Sequence, residues 1–85
     1  MAWHVEVAQR AQKALEKIPA KDKARLIAAL EQMRDNPFSG DIARLTGERT
    51  AWRRRVGSYR IFFDLYPERL WVDVVEITRR TSTTY

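Results

Sequence analysis

The first residues alternate between apolar and polar side chains, which predicts a β-strand from Trp3 to Val7. Successive side chains of a strand point to opposite faces, so His4 and Glu6 should share the face opposite to Val5. A single histidine on a strand face is more often a surface or hydrogen-bonded residue than a catalyst. We therefore interpret His4 as structural.

Two helices are predicted next, because the apolar positions now repeat at spacings of three and four residues. The first runs from Ala8 to Ile18 and ends at Pro19, which cannot continue the helical hydrogen bonding. The second runs from about Ala20 to Asp35 and ends at Asn36-Pro37. The expected core stripes are Ala11, Leu15 and Ile18 in the first helix, and Ile27, Leu30 and Met33 with Leu26 and Ala24 in the second. The very short link between the helices indicates an αα-hairpin.

The remainder of the chain is typical of a connection followed by strands. The stretch from Phe38 to Thr50 is rich in Gly, Ser, Asp and Thr and is predicted as a connection. We expect Phe38, Ile42 and Leu45 to pack at the edge of the core. Residues 51–65, AWRRRVGSYRIFFDL, predict two short strands joined by a tight turn at Gly57-Ser58. A last strand is predicted from Leu70 to Ile77.

The predicted order is strand, helix, helix, strand, strand, strand. Such an order indicates a two-layer α+β fold, in which an N-terminal strand and an αα-hairpin pack on a mainly antiparallel β-sheet. The 85 residues are enough for one modest core, so we expect a single domain over residues 1–85.

Pairing the two middle strands gathers arginine side chains on one face of the sheet. Arg53 and Arg55 share a face by alternation, and Arg60 points away from the apolar side of its own strand. Guanidinium groups repel one another unless an anion lies among them, and each can bind phosphate through two hydrogen bonds. The pattern therefore indicates a phosphate-binding face. Arg54 should share the side of Trp52, and we expect it at a strand end, where its charge reaches water.

The overall charge supports an anionic partner. The net charge is +5 and the pI is near 10, which favours nucleic acid or an acidic protein. A basic surface that serves only solubility is the alternative. All lysines lie between Lys13 and Lys23, and every basic residue from Arg25 onward is arginine. This clustering of arginine on predicted strands favours phosphate contact.

The composition also excludes several kinds of site. The chain has no cysteine, so it has no disulfide framework and no thiolate zinc site. Its one histidine, His4, excludes a histidine-based metal cluster within one chain, and we expect no metal and no other cofactor. No apolar run approaches the length of a membrane span, and the first residues do not resemble a signal peptide. We expect a cytoplasmic protein.

The string LTGERTAWRRRVGSYRIFFDL, followed by an apolar strand and an arginine-rich tail that ends in tyrosine, resembles the RelE/ParE superfamily of bacterial toxins. The segment NPFSGDIARL is also similar to the connection that leads into that family's second strand. The most specific part is the W-R-x-R-V-G-x-Y-R pattern. Its residues here are Trp52, Arg53, Arg55, Val56, Gly57, Tyr59 and Arg60.

The resemblance implies a toxin that an antitoxin protein wraps and inactivates. RelE-like members cut messenger RNA in the ribosomal A site, whereas ParE-like members inhibit DNA gyrase and lack the nuclease residues. Carried over by motif, the implied catalytic residues are Arg53, Arg55, Arg60, Arg79 or Arg80, and Tyr85. Some members have lysines where this chain has Arg53 and Arg55. Arginine is a far poorer general base than lysine, so the identity of the base stays open.

RNA cleavage without a metal uses the 2′-hydroxyl as the nucleophile on the adjacent phosphorus. The reaction needs a base, positive charge around the phosphorane and an acid for the leaving oxygen. Tyr85 is the candidate for orienting or deprotonating the hydroxyl, and its ring is also a candidate for stacking on a base. A carboxylate base is a minor alternative among the strand residues Asp64, Asp73 and Glu76, which we otherwise interpret as salt-bridge partners. We therefore predict a ribosome-dependent mRNA endonuclease, with gyrase inhibition as the alternative and a binding module that has lost both activities as a third hypothesis.

Overall fold

A computed structural model describes residues 2–47 and 50–79 of the chain. The elements in chain order are β1 His4–Val7, α1 Gln9–Glu16, α2 Ala20–Asp35, β2 Asp41–Arg44, β3 Trp52–Val56, β4 Tyr59–Tyr66, a 3-10 turn Pro67–Arg69 and β5 Trp71–Arg79. The prediction of α2 is confirmed at both ends. The first helix is shorter than predicted, because Lys17 and Ile18 turn out of it before Pro19.

Within the described residues, five strands form one sheet in the order β1-β5-β4-β3-β2. β1 runs parallel to β5, and the other neighbouring strands are antiparallel. The predicted α+β class and the mainly antiparallel sheet are confirmed. The predicted connection was wrong in one part, because Asp41–Arg44 forms the edge strand β2 and pairs with β3.

The tight turn between β3 and β4 is confirmed. Val56 pairs with Tyr59, so only Gly57 and Ser58 connect the strands, and Gly57 has a φ of 58°. A positive φ at the first turn residue fits the twist of a two-residue hairpin and favours glycine. This turn fixes the register in which the arginines of β3 and β4 meet.

The core lies between the two helices and one face of the sheet. Its buried apolar residues are Ala11, Leu26, Ala29, Met33, Tyr59, Ile61, Phe63, Val72, Val74 and Ile77. The stripe predicted for α2 was partly wrong, because Leu26, Ala29 and Met33 face the core whereas Ile27 is 46% exposed. Phe38 contacts the rings of Trp3 and Trp52 edge-on but remains 48% exposed.

A β-bulge interrupts the pairing of β4 with β5. Phe62 pairs with Glu76 and Phe63 pairs with Val74, so Val75 is an extra residue on β5. The bulge changes which residues of β5 face the helices, a point that matters for the end of this strand.

No helix in the described ranges is long and apolar enough to cross a membrane.

Candidate functional site

The helix-free face of the sheet, here called the open face, carries the predicted arginine set. Arg55 pairs directly with Arg60 across β3 and β4, and Arg53 pairs with Phe62. Directly paired residues project on the same side of a sheet, with Cβ atoms about 5 Å apart. The structure therefore brings Arg53, Arg55 and Arg60 together, as the sequence pattern predicts.

These arginines have little internal neutralisation. Arg55 Nε lies 3.7 Å from Asp41 Oδ2, and this is the only carboxylate within 4.0 Å of any of the three guanidinium groups among the described residues. Nη1 of Arg53 and Nε of Arg60 are buried and have no hydrogen-bond partner in that part of the chain. An unpaired buried donor is costly. Both donors would gain from an anionic acceptor.

The surroundings of the set suit a small phosphate-bearing group. Phe62 supplies an apolar side beside Arg53, and Thr78 pairs with Arg60 and places a hydroxyl-bearing side chain on the same face. Asp41 limits the positive charge at one edge, next to Arg55. The result is a cationic patch with one apolar wall.

Arg54 lies on the opposite side of the sheet, and its predicted environment was wrong. It shares the side of Trp52 as expected, but it lies in the middle of β3 and is only 7% exposed. Nη1 donates to the Ala29 carbonyl oxygen at 3.3 Å, and Nη2 donates to Gln32 Oε1 at 2.6 Å. Hydrogen-bond acceptors on α2 therefore take the place of water around the Arg54 guanidinium. Burial lowers the pKa of the Arg54 guanidinium from its ordinary value.

Gly40 closes over Arg54 at the start of β2. A Cβ atom on Gly40 would lie 2.6 Å from Arg54 Nε, and the φ of Gly40 is 82°. Both the space and the backbone conformation therefore require glycine here. Arg54 thus joins α2, β3 and the turn before β2, and Asp41 follows this turn directly.

Of the candidate residues at the end of the chain, only Arg79 lies in the described part of the structure. Arg79 pairs with Tyr59, whose ring is buried on the helix side. The structure therefore does not bring Arg79 onto the open face with Arg60. Arg80 and Tyr85 lie outside the described residues. Their predicted roles remain predictions.

The acidic strand residues have internal partners. Asp64 Oδ1 accepts a hydrogen bond from Ala51 N at 2.7 Å, and Asp73 Oδ1 accepts one from Trp71 Nε1 at 2.9 Å. Glu76 Oε1 lies 3.6 Å from Arg10 Nη1, so the salt-bridge interpretation holds for Glu76. Asp64 and Asp73 bind neutral donors instead.

His4 has a structural environment, as interpreted. Its Nε2 lies 2.8 Å from Glu6 Oε1, and its ring lies 4.1 Å from that of Trp71 between centroids.

Two contributors to the site were missed by the sequence reasoning. Asp41 contacts Arg55, and Arg54 holds the strand that carries Arg53 and Arg55. Asp41 follows Gly40 directly and begins an alternating DIAR segment, which was a weak signal for a short edge strand. For Arg54 no local signal exists, because its acceptors lie more than twenty residues away in the sequence.

Comparison with known proteins identifies a family whose model matches the chain. The family model described as the ParE toxin of type II toxin–antitoxin systems, parDE, matches residues 5–83. The chain is also 29% identical over 85 residues to a candidate toxin of Methanocaldococcus jannaschii named RelE1, with 96% of this chain and 90% of that protein covered.

Solved structures show the same fold. The RelE–RelB complex of Pyrococcus horikoshii contains a chain that matches with a TM-score of 0.83 and 19% identity, covering 98% of this chain and 100% of that one. The isolated RelE toxin of E. coli matches with a TM-score of 0.78 and 18% identity, covering 96% and 88%.

Proposed function

The chain belongs to the ParE toxin family of type II toxin–antitoxin systems, and from its open arginine face and RelE-like fold we propose that it cleaves messenger RNA on the ribosome without a metal ion. The fold is that of RelE structures, and the relative from Methanocaldococcus jannaschii is named RelE1. These similarities support a nuclease without identifying the reaction.

The observation that carries the proposal is the unneutralised arginine set. Arg53 and Arg60 each hold a buried N–H donor without a partner in the described part of the chain, and the one carboxylate near the set is exposed Asp41, 3.7 Å from Arg55. Cleavage of RNA builds negative charge on the phosphorane, and preorganised donors stabilise that charge more than they stabilise the substrate. The open face supplies such donors.

In the proposed reaction, the 2′-oxygen of RNA forms a bond to the adjacent phosphorus while the bond to the 5′-oxygen breaks. Arg53 and Arg60 donate hydrogen bonds to the non-bridging oxygens, and Arg55 adds charge from the exposed side of the set. The proton of the 2′-hydroxyl goes to a base, for which we propose Tyr85, and the leaving oxygen takes a proton from an acid, for which Arg80 is the candidate because Arg79 lies on the helix side. One histidine and no cysteine in the chain favour this metal-free route.

A cognate antitoxin is the proposed protein partner. The similar chains from Pyrococcus horikoshii and E. coli form complexes with RelB antitoxins. The cationic surface of this chain would favour an antitoxin segment rich in carboxylates.

The alternative is inhibition of DNA gyrase without catalysis. The family model that matches is the ParE model, which favours this reading. The described part of the open face also places no histidine or lysine beside the arginine set to act as a base.

Expression of the full chain tests both functions. We expect growth inhibition that co-expression of the proposed cognate antitoxin reverses, together with new RNA 5′ ends within ribosome-bound messages. Gyrase supercoiling activity should be unchanged. Growth arrest with intact polysomal RNA and inhibited gyrase would support the alternative, and normal growth with soluble protein would contradict both.

Variants of Tyr85 test the proposed base. Tyr85→Ala should strongly reduce cleavage in an assay on ribosome-bound RNA. Tyr85→Phe separates the two roles, because it keeps the ring and removes the hydroxyl. Activity close to wild type in Tyr85→Phe would assign stacking rather than proton transfer, and full activity in both variants would remove Tyr85 from the site.

A further inference from the structure

A group of aromatic rings lies at the end of the open face that is farthest from the arginine set. Tyr66 pairs with Trp71, and Trp71 pairs with His4, so these side chains project on the same side of the sheet as Arg60. Together with Arg69 they are called the aromatic cluster here. Tyr66 follows Arg60 by six positions in β4, which corresponds to about 20 Å along an extended strand. The two regions therefore share one face without touching.

Arg69 forms the outer layer of the aromatic cluster. Its Cζ lies 5.7 Å from the ring centroid of Tyr66 and 5.4 Å from that of Trp71. Arg69 is exposed and has no carboxylate within 4.0 Å among residues 2–47 and 50–79. The two rings therefore hold the guanidinium group by cation–π contact, and its outer side is open to a ligand.

The structure around Arg69 is fixed from several sides. Trp71 Nε1 donates to Asp73 Oδ1 at 2.9 Å, and the ring of His4 lies 4.1 Å from that of Trp71 between centroids. Leu70 has a φ of 49° and is the one non-glycine residue of the described chain with a positive φ. Such strained residues persist where the surrounding structure requires them, and they cluster at functional sites. The turn therefore presents Arg69 in a preorganised position.

We propose that the aromatic cluster binds an unpaired base of single-stranded RNA, which stacks on the outer side of the Arg69 guanidinium. Unpaired bases commonly stack on aromatic rings and on the planes of arginine side chains. The inference rests on the proposed function, because the strand is the RNA whose phosphate binds the arginine set. The cluster positions this strand and takes no part in the proposed reaction.

A base suits this end of the face better than a phosphate. Asp73 pairs with Asp64 on β4 and with Glu6 on β1, which places a row of carboxylates between the arginine set and the aromatic cluster. Asp64 and Asp73 have no basic group within 4.0 Å in the part of the chain that the structure describes, so they would repel a phosphate. Amino groups of bases can instead donate hydrogen bonds to carboxylates. A strand that crosses this row should turn its bases toward the sheet and its phosphates toward water.

The test measures binding of RNA to the full chain with a strand that cannot be cleaved. The probe is a fluorescent 2′-O-methyl RNA of about twelve nucleotides, which is long enough to cover a single-strand site. A strand of the same length with abasic nucleotides is the control. Anisotropy should show that the wild type binds the base-bearing strand about tenfold more tightly, as expected for one stacked base.

Arg69→Lys separates stacking from charge, because lysine keeps the positive charge but has no planar group. Its preference for the base-bearing strand should be several-fold smaller than that of the wild type. Arg34→Lys is the matched control at an exposed position of α2 and should keep the full preference. An unchanged preference in Arg69→Lys would overturn the proposal. An equal loss of affinity for both strands would also overturn it, because Arg69 would then bind phosphate.

A second pair of variants tests the ring beneath Arg69. Tyr66→Leu removes this ring and should lower the preference for bases, whereas Tyr66→Phe keeps the ring and should keep the preference. Phe38→Leu is the control, because it removes an exposed ring outside the aromatic cluster. Circular dichroism checks that each variant folds. Equal preferences in Tyr66→Leu and Tyr66→Phe would contradict a role for the ring.

A cationic segment of a protein is the competing occupant, since aromatic rings also bind cations. A fluorescent arginine-rich peptide should bind the wild type no more tightly than it binds Tyr66→Leu. Peptide binding that Tyr66→Leu abolishes, in a wild type without a preference for bases, would assign the cluster to such a segment and overturn the proposal.

The binding measurements do not depend on RNA cleavage. A chain with the Arg69-dependent preference that cuts no RNA would contradict the nuclease and retain the stacking site. A chain that cuts RNA while Arg69→Lys keeps the full preference would overturn the stacking site alone.

Discussion

Arg53 and Arg54 are neighbours in one strand and have the same side chain, yet they lie in opposite environments. Arg54 points beneath α2, where a carbonyl oxygen and the Gln32 side chain accept its hydrogen bonds. Arg53 points to the open face, where its buried Nη1 has no partner in the described structure. Two nitrogens of Arg54 have acceptors within the fold, although its buried Nε has none among the described residues, whereas no side-chain hydrogen bond of Arg53 is found there.

This difference shows what determines which arginines of β3 project to the open face. The segment Arg53-Arg54-Arg55 contains three identical side chains, so its own composition does not decide which of them faces outward. A slip of one residue would turn every side chain of β3 to the other face. The hydrogen bonds of Arg54 oppose that slip, because a single buried arginine finds acceptors on α2. The structural arginine and those proposed to bind the ligand can therefore be separated by mutation.

The largest expected effect is on catalysis. Arg60→Ala should lower the cleavage rate by about 100- to 1000-fold, as is typical when one preorganised donor to the transition state is lost. Its side chain lies on the open face, so the melting temperature should hardly change. Rates of cleavage on ribosome-bound RNA and thermal unfolding measure the two effects.

Arg34→Ala provides the control for Arg60→Ala, because it removes the same charge from an exposed position on α2. It should cleave nearly as fast as wild type. If Arg60→Ala also stays within a few-fold of wild type while folding normally, Arg60 does not act in the reaction.

The second effect is on stability. Arg54→Ala should lower the free energy of unfolding by about 2–4 kcal/mol, because it removes buried packing and the hydrogen bonds to α2. Arg53→Ala should change it by less than about 0.5 kcal/mol, since this side chain has no internal partner to lose. Urea unfolding of both variants makes the comparison, and equal losses would show that the two environments do not differ energetically.

A smaller effect is expected at the glycine that packs on Arg54. Gly40→Ala and Gly47→Ala both place alanine at positive φ, at 82° and 74°. Only Gly40 also places a Cβ against Arg54, whereas no atom lies within 4 Å of a Cβ at Gly47. Gly40→Ala should therefore be about 1–2 kcal/mol less stable than Gly47→Ala in urea unfolding. Equal stabilities would mean that Arg54 moves aside without cost.

The smallest effect concerns the edge of the arginine set. Asp41→Asn should raise the affinity for single-stranded RNA about two- to threefold, because it removes an exposed carboxylate 3.7 Å from Arg55. Asp35→Asn makes the same charge change at the end of α2 and should have little effect. Anisotropy titrations at one salt concentration measure both. An equal rise in both variants would indicate a response to net charge alone.

The predictable parts of the fold are those with strong local signals. Helix α2 has an apolar repeat and a following Asn36-Pro37, and both of its ends were predicted. The Gly57-Ser58 turn between strands of alternating pattern also fixed the register that gathers Arg53, Arg55 and Arg60. These features depend on neighbours in the sequence.

The parts that were missed depend on distant residues. β2 has only four residues and forms by pairing with β3, so its own pattern is too short to reveal it. Ala29 joins the predicted Leu26 and Met33 in the core in place of Ile27, because the sheet determines how α2 rotates. The acceptors of Arg54 are likewise on another element.

The extra residue Val75 changes which residues of β5 project to each face of the sheet. Before it, odd-numbered residues project with the open face, as Trp71 does opposite Tyr66. After it, the even-numbered Thr78 takes that side, opposite Arg60, and Arg79 projects toward the helices. Deletion of Val75 would remove the bulge and leave Arg79 on the helix side, whereas regular pairing of Val75 without a bulge would turn Arg79 to the open face. The bulge, rather than any side chain at the end of β5, therefore determines which face of the sheet carries Arg79.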